Sequence, residues 1–213
     1  MDRRPLRTRA RPSARALAAS LARRGLRPNQ VSYAGVVFAL LAALSLVALP
    51  HASRPLQAVL LVAAAAAIQL RLLCNLLDGL LAVEGGLRSP TGELYNDVPD
   101  RFADVLVIVA AGYAIAWDWG GLLGWAAAAA ALLTAYVRVL GGALGAPQHF
   151  FGPMAKPHRM AALTAACLLS LVELAASDLE GRILAVALGV ILVGSLATFT
   201  RRLRLIAAEL NAR

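Results

Sequence analysis

Charge is scarce in this chain of 213 residues: Asp, Glu, Lys and Arg make up 15% of it, where a soluble domain carries about a quarter. Aromatic residues are scarcer, at 6%, and lysine occurs once, at Lys156. The two cysteines, Cys74 and Cys167, lie in apolar runs without CxxC or metal-ligand spacing. That excludes a disulfide framework and reads as two small buried hydrophobes. The first apolar run begins near residue 31 with no clean cleavage site after it, so no cleavable signal peptide is expected. Ala, Leu and Val fill the chain instead: 60% of residues are hydrophobic and the mean hydropathy is +0.69. This is the composition of an integral membrane protein of one domain, whose small residues let helix backbones approach closely.

The net charge of +9 is unevenly spread. The first 30 residues hold nine Arg and one Asp, and Arg201, Arg202, Arg204 and Arg213 make the far end basic too. Beside hydrophobic spans, such an arm points to anionic lipid headgroups and not to nucleic acid. Residues 1–28 read as a basic juxtamembrane arm, with an interfacial helix around Ser13 to Arg24 whose Leu17, Ala18 and Leu21 face the acyl boundary. Pro5 and Pro12 break anything longer. A disordered basic tail is the other reading.

Six apolar segments follow, near 30–50, 56–82, 100–117, 120–144, 160–177 and 182–200, each close to the ~20 residues a spanning helix needs. The expected fold is all-α: six transmembrane helices over 29–200, with a basic tail at 201–213. Trp117, Trp119 and Trp125 cluster at one break, as an interfacial aromatic belt does. The arm, the 83–99 loop, the 145–159 loop and the tail hold nearly all the positive charge outside the spans. Positive-inside therefore expects both termini on the cytoplasmic side of a bacterial inner membrane.

Against this background Asn75 to Asp104 is a polar island. Arg71, Asn75, Asp78 and Ala82 recur every three or four residues and share one helical face. Asn96, Asp100 and Asp104 repeat the pattern on the next span, with Asp97 adjacent. Two facing stripes of this kind form either a buried network that fixes helix packing or a functional site. Their carboxylate and amide oxygens suit a hard cation such as Mg2+ or Mn2+, and no His or Cys is placed for zinc. Mg2+ commonly joins carboxylates to substrate phosphates. The stretch from Glu84 to Gly92 between the stripes is glycine-rich, which permits close backbone approach to a ligand. A metal-ion transporter is disfavoured because the acids gather at one membrane face, away from the midplane.

The island resembles the signature of the CDP-alcohol phosphotransferases, Asp-x2-Asp-Gly-x2-Ala-Arg-x8-Gly-x3-Asp-x3-Asp. Asn75, Asp78, Gly79, Ala82, Val83, Gly92, Asn96 and Asp100 occupy its slots with every gap matching. The resemblance implies that Asn75, Asp78, Asn96 and Asp100 hold divalent cations, two in the family, which grip the pyrophosphate of CDP-diacylglycerol. It implies that Asp100 takes the proton of the acceptor hydroxyl. Gly79 and Ala82 then sit against the cytidine nucleotide and Gly92 is the signature's second glycine. CMP leaves, a phosphodiester lipid forms, and the protein pairs as a homodimer. This sequence departs from the signature at three slots: Asn75 and Asn96 replace acids, and Val83 replaces the Arg. Two lost charges weaken a second cation, and Asp97 does not substitute for Asn96 because one residue turns ~100° around a helix. The expectation is one tight and one weak cation, or altered chemistry, including a non-catalytic relative that binds CDP-lipid. Asp104 either assists the site or pairs with Arg71.

Tyr136 and Arg138 near the end of the fourth span, and Lys156, His158 and Arg159 at the start of the fifth, are placed to converge beneath the island. Of these, Arg138, Lys156 and Arg159 are the candidate ligands of an anionic acceptor such as a polyol phosphate; ordinary positive-inside anchoring is the alternative for Lys156 and Arg159. Glu173 is expected near the outer interface, paired or hydrated, and Glu84 and Glu93 as solvated loop residues.

Overall fold

The computed structural model describes residues 12–84 and 91–212, without the side chains of Val83, Glu84 and Glu93. The expectations for the glycine-rich turn at 85–90, for those three side chains and for the first part of the basic arm fall outside the described residues. Among them the chain forms seven α-helices and no strand: α1 (Pro12–Arg23), α2 (Pro28–Ala48), α3 (Arg54–Glu84), α4 (Gly92–Tyr113), α5 (Gly120–Ala143), α6 (Lys156–Ala176) and α7 (Arg182–Asn211). Proline sets two of the starts. Pro28 opens α2 and Pro157 lies in the first turn of α6, where a missing N–H leaves no helical bond unmade. At α2, the Gln30 side chain also accepts the Arg27 N–H at 2.9 Å.

Helices α2 to α7 run alternately up and down. The starts of α2, α4 and α6 and the ends of α3, α5 and α7 therefore meet at one end of the bundle. The amphipathic α1 packs there through Ala18, Leu21 and Ala22 against Leu77, Leu80 and Leu81 of α3. The core is Ala- and Leu-rich, built around Ala39, Leu46, Leu61, Ile68, Val107, Ala127, Leu163 and Leu188. Small residues bring α4 and α5 into backbone contact. A Cβ at Gly112 would lie 2.6 Å from the Gly120 carbonyl oxygen and 2.8 Å from Gly124 Cα. Large apolar side chains such as Leu44, Val62, Leu122, Val172, Val186 and Val193 face outward, the distribution of a bundle solvated by lipid.

Among the described residues five helices are long and apolar enough to cross a membrane: α2 with the 3-10 turn after it, α3, α5, α6 and α7. The expected sixth, α4, falls outside that set. Asp97, Asp100, Arg101 and Asp104 reach past its midpoint and leave only a short uninterrupted apolar run behind them. The 83–99 loop also requires correction. Its second half is helical from Gly92, and α4 passes through Pro99, which removes one backbone donor without ending the helix. At the far end α7 does not stop near 200 but continues to Asn211, so the basic tail is helical for most of its length.

The opposite end of the bundle is closed by polar contacts. Arg54 pairs with Asp178 at 3.1 Å and donates to the Leu174 and Ser177 carbonyls. Glu173, buried there, accepts the backbone N–H groups of Glu180 and Arg182 at 3.2 and 3.1 Å and caps the start of α7. That end carries Trp117 and Trp119, whose rings lie 4.9 Å apart.

Candidate active site

The two polar stripes face each other across α3 and α4. Arg71 is 1% exposed and Asp104 3%; their side chains meet at 2.5 Å, and Arg71 also reaches Asp100 Oδ1 at 2.9 Å. A buried guanidinium is tolerable only when paired, and here two carboxylates of one helical face compensate it. Asp104 takes a second buried cation, Arg159 of α6, at 3.3 Å. Of the two fates the sequence leaves open for Asp104, the structure has the pairing with Arg71.

Asp100 is the most heavily contacted acid. Its Oδ1 accepts from Arg71, from the Asn75 amide at 2.7 Å and from the Lys156 ammonium, while Oδ2 has one partner, Arg101 at 3.1 Å. Asp97 points to the other side, pairing with Arg101 at 3.0 Å and Arg138 at 3.4 Å. Asp78 turns away from Asp100 toward α2. Ser32 donates to its Oδ2 at 2.8 Å, and its Oδ1 is buried without a hydrogen-bond partner.

A cavity of about 420 Å³ opens beside these groups. Asn75, Asn96, Asp97, Asp100, Arg101, Arg138, Lys156, Arg159, Thr134, Phe150 and Arg202 are among the residues that line it. A narrower cleft next to it is lined by Ser32, Gly35, Asn75, Asn96 and Asp100. The segment between α5 and α6 folds over one side. Gln148 accepts from Arg138 at 2.7 Å, the Arg138 guanidinium stacks over Phe150 at 5.1 Å, and Arg159 donates to the Met154 carbonyl at 2.8 Å. Arg202 donates to the Phe151 carbonyl at 3.0 Å and the Thr134 carbonyl at 2.7 Å. The chamber thus has carboxylates and amides, with one guanidinium at Arg101, on the α3/α4 side, and only basic groups among its charged side chains on the α5/α6/α7 side. Such a division suits a ligand with several negative charges and a polar reacting group.

No family model and no curated protein matches the chain. Among solved structures it superposes on Mycobacterium tuberculosis phosphatidylinositol phosphate synthase (PgsA1) with CDP-DAG bound, at a TM-score of 0.71 and 21% identity, covering 91% of this chain and 92% of that one. The same synthase in complex with manganese and citrate matches at a TM-score of 0.72 and 21% identity, over 91% and 88% of the two chains. The chain has the fold of a CDP-alcohol phosphotransferase.

One of the superposed synthase structures holds manganese, and in this chain a few oxygen donors are available to such an ion. Asp78 Oδ1 is a buried anionic oxygen without a hydrogen bond, and Asn75 and Asn96 line the adjoining cleft. They do not make a cluster of acids: among the described residues no three His, Cys, Asp or Glu side chains are grouped for a metal. Asp100 faces four donors, three of them cationic.

Of the candidate residues, the cavity brings together Asn75, Asn96, Asp100, Arg138, Lys156 and Arg159. Asp78 lies behind Ser32. Gly79 and Ala82 occupy the following turn of α3 and Gly92 the first residue of α4; none of the three lines the cavity. Tyr136 is exposed on the outer surface of α5. Three site residues were not foreseen. Arg101 carries a signal in the sequence, since it stands next to Asp100 and four residues after Asp97, a helical ion-pair spacing. Ser32 carries none. Arg202 is indistinguishable in sequence from its basic neighbours and is singled out only because α7 continues far enough to bury it.

Proposed function

We propose that this protein is an integral membrane phosphatidyltransferase that moves a phosphatidyl group from CDP-diacylglycerol to an alcohol acceptor, a polyol phosphate, with release of CMP. The observation that carries this reading is the divided cavity: the signature residues Asn75, Asn96 and Asp100 on one wall face Arg138, Lys156, Arg159 and Arg202 on the other. A shared fold with a synthase whose structure holds CDP-DAG supports the donor. The basic wall supports a charged acceptor, because an uncharged alcohol has no use for it.

In this reading Asp78, Asn75 and Asn96 hold Mg2+ or Mn2+. The bound ion supplies charge neutralisation on the donor pyrophosphate. Arg138 and Arg159 orient the acceptor phosphate, and Asp100 receives the hydroxyl proton on Oδ2, the oxygen with a single partner. The acceptor oxygen bonds to the phosphatidyl phosphorus as the bond from that phosphorus to CMP breaks. Holding both reactants in one low-dielectric chamber provides most of the acceleration. Gly79, Ala82 and Gly92 are assigned to the nucleotide side. We further assign α4 as a sixth span, since its charges at Asp97, Asp100 and Asp104 are compensated within the bundle. The positive-inside count puts the cavity and both termini on the cytoplasmic face of the inner membrane, and the homodimer belongs to the same proposal.

CMP release from CDP-diacylglycerol, measured with and without Mg2+ or Mn2+ and across acceptors, tests this function. Release is expected only with cation and a phosphorylated polyol together, and is lost in Asp78→Asn and Asp100→Asn. A second reading is favoured by the four donors on Asp100: a protein that binds CDP-lipid without turning it over. That reading expects CDP-diacylglycerol binding and no CMP with any acceptor.

A further inference from the structure

Asp100 Oδ1 is held by the chain's only lysine. Lys156 opens α6, and its ammonium reaches across to α4. Asn75 gives its amide N–H to the same oxygen, so it acts there as a donor. Around this point the carboxylates of Asp78, Asp97, Asp100 and Asp104 stand among Arg71, Arg101, Arg138, Lys156 and Arg159. With Arg202 on the same wall, these ten side chains carry a net charge of +2. One divalent ion, a doubly charged pyrophosphate and a doubly charged acceptor phosphate bring that balance to zero. A second divalent ion leaves an excess of +2 in a low-dielectric chamber, where uncompensated charge is costly. The amides at Asn75 and Asn96 are the reason the count falls this way, because acids at both positions would supply the charge a second ion needs.

We propose that the centre works with a single divalent cation, and that the Lys156 ammonium beside Asp100 is its fixed second positive charge. The inference rests on the phosphatidyltransferase reading and adds to it the number of ions and the residue that replaces one of them. Lys156 is thereby a binding residue whose charge the donor pyrophosphate meets directly.

The test uses the full chain in lipid nanodiscs with CDP-diacylglycerol, titrated with Mn2+ and read by electron paramagnetic resonance. One uncoupled Mn2+ per chain is expected for the wild type and for Lys156→Arg. In Lys156→Met, CDP-diacylglycerol affinity at low Mn2+ falls about tenfold, the effect of losing one charge-assisted contact, and excess Mn2+ restores it. The double variant Asn75→Asp with Asn96→Asp takes up a second, magnetically coupled ion. Two coupled ions in the wild type overturn the inference, as does a wild type that binds none. So does a Lys156→Met affinity that matches wild type at every Mn2+ concentration. CMP release from the same samples separates the two levels. Turnover with two ions sinks the single-cation inference alone, and absence of CDP-diacylglycerol binding sinks the phosphatidyltransferase reading with it.

Discussion

Replacing Asp104 by Asn removes one negative charge from the most buried part of the network and changes little else. Asp104 is 3% exposed and touches Arg71 Nη2 at 2.5 Å and Arg159 Nη2 at 3.3 Å; both arginines are 1% exposed. Breaking a buried pair by removing one partner costs about 3–5 kcal/mol, because the remaining charge stays desolvated without compensation. For a chain of this size each kcal/mol moves the melting temperature by about 2–4 °C, so Asp104→Asn is expected to melt about 6–20 °C below wild type. Asp97→Asn is the internal control. Its carboxylate is 44% exposed and pairs with Arg101 at 3.0 Å and Arg138 at 3.4 Å, so its loss costs about 0–1 kcal/mol. Both variants are melted in the same nanodisc preparation, followed by circular dichroism at a helical wavelength. A third variant, Arg159→Met with Asp104→Leu, replaces that pair by apolar groups while Arg71 keeps Asp100 at 2.9 Å, and recovers most of the loss. The reasoning is refuted if Asp104→Asn melts within about 2 °C of wild type, or if Asp97→Asn falls as far.

Gly112→Ala places a methyl 2.6 Å from the Gly120 carbonyl and 2.8 Å from Gly124 Cα; with backbone on the other side, the overpacking costs about 1–3 kcal/mol, read as a lower melting temperature. Glu173→Ala strips the cap from the start of α7 and leaves the N–H groups of Glu180 and Arg182 unmatched, a loss of about 1–3 kcal/mol. Faster amide hydrogen exchange confined to residues 180–184 checks it. Ser32→Ala deprives Asp78 of its one side-chain donor at 2.8 Å, so Asp78 is held less firmly. Half-maximal CMP release is expected to need about tenfold more Mg2+, and an unchanged Mg2+ requirement counts against Asp78 as the cation ligand.

The polar face of α3 was legible because Arg71, Asn75 and Asp78 recur at helical spacing in a run with few other polar groups. Geometry then leaves them few partners other than the stripe at Asn96, Asp100 and Asp104. Orientation within the face was not legible. Asp78 and Asn75 are three residues apart, yet one turns to Ser32 on α2 and the other to Asp100 on α4. Spacing alone says nothing of which neighbour each meets. The loop drawn at 83–99 failed for a related reason: Pro99 and the acids look like helix breakers in isolation. In the structure Arg71, Arg101, Arg138 and Lys156 compensate the acids, and α4 gives up one backbone donor at the proline. Arg202 shows the same limit at the other end, where a run of basic residues reads as a tail until the helix that carries it is known to continue.

The most direct measurement is mass spectrometry of lipids formed when nanodisc-embedded protein is given CDP-diacylglycerol, Mg2+ and a phosphorylated polyol. The account predicts a new phosphodiester lipid that joins the phosphatidyl group to that acceptor, accompanied by CMP and absent when Asp78 or Asp100 is changed to Asn. A bound but unconverted CDP-diacylglycerol pool with every acceptor, or the same product from the Asp100→Asn protein at the wild-type rate, contradicts it.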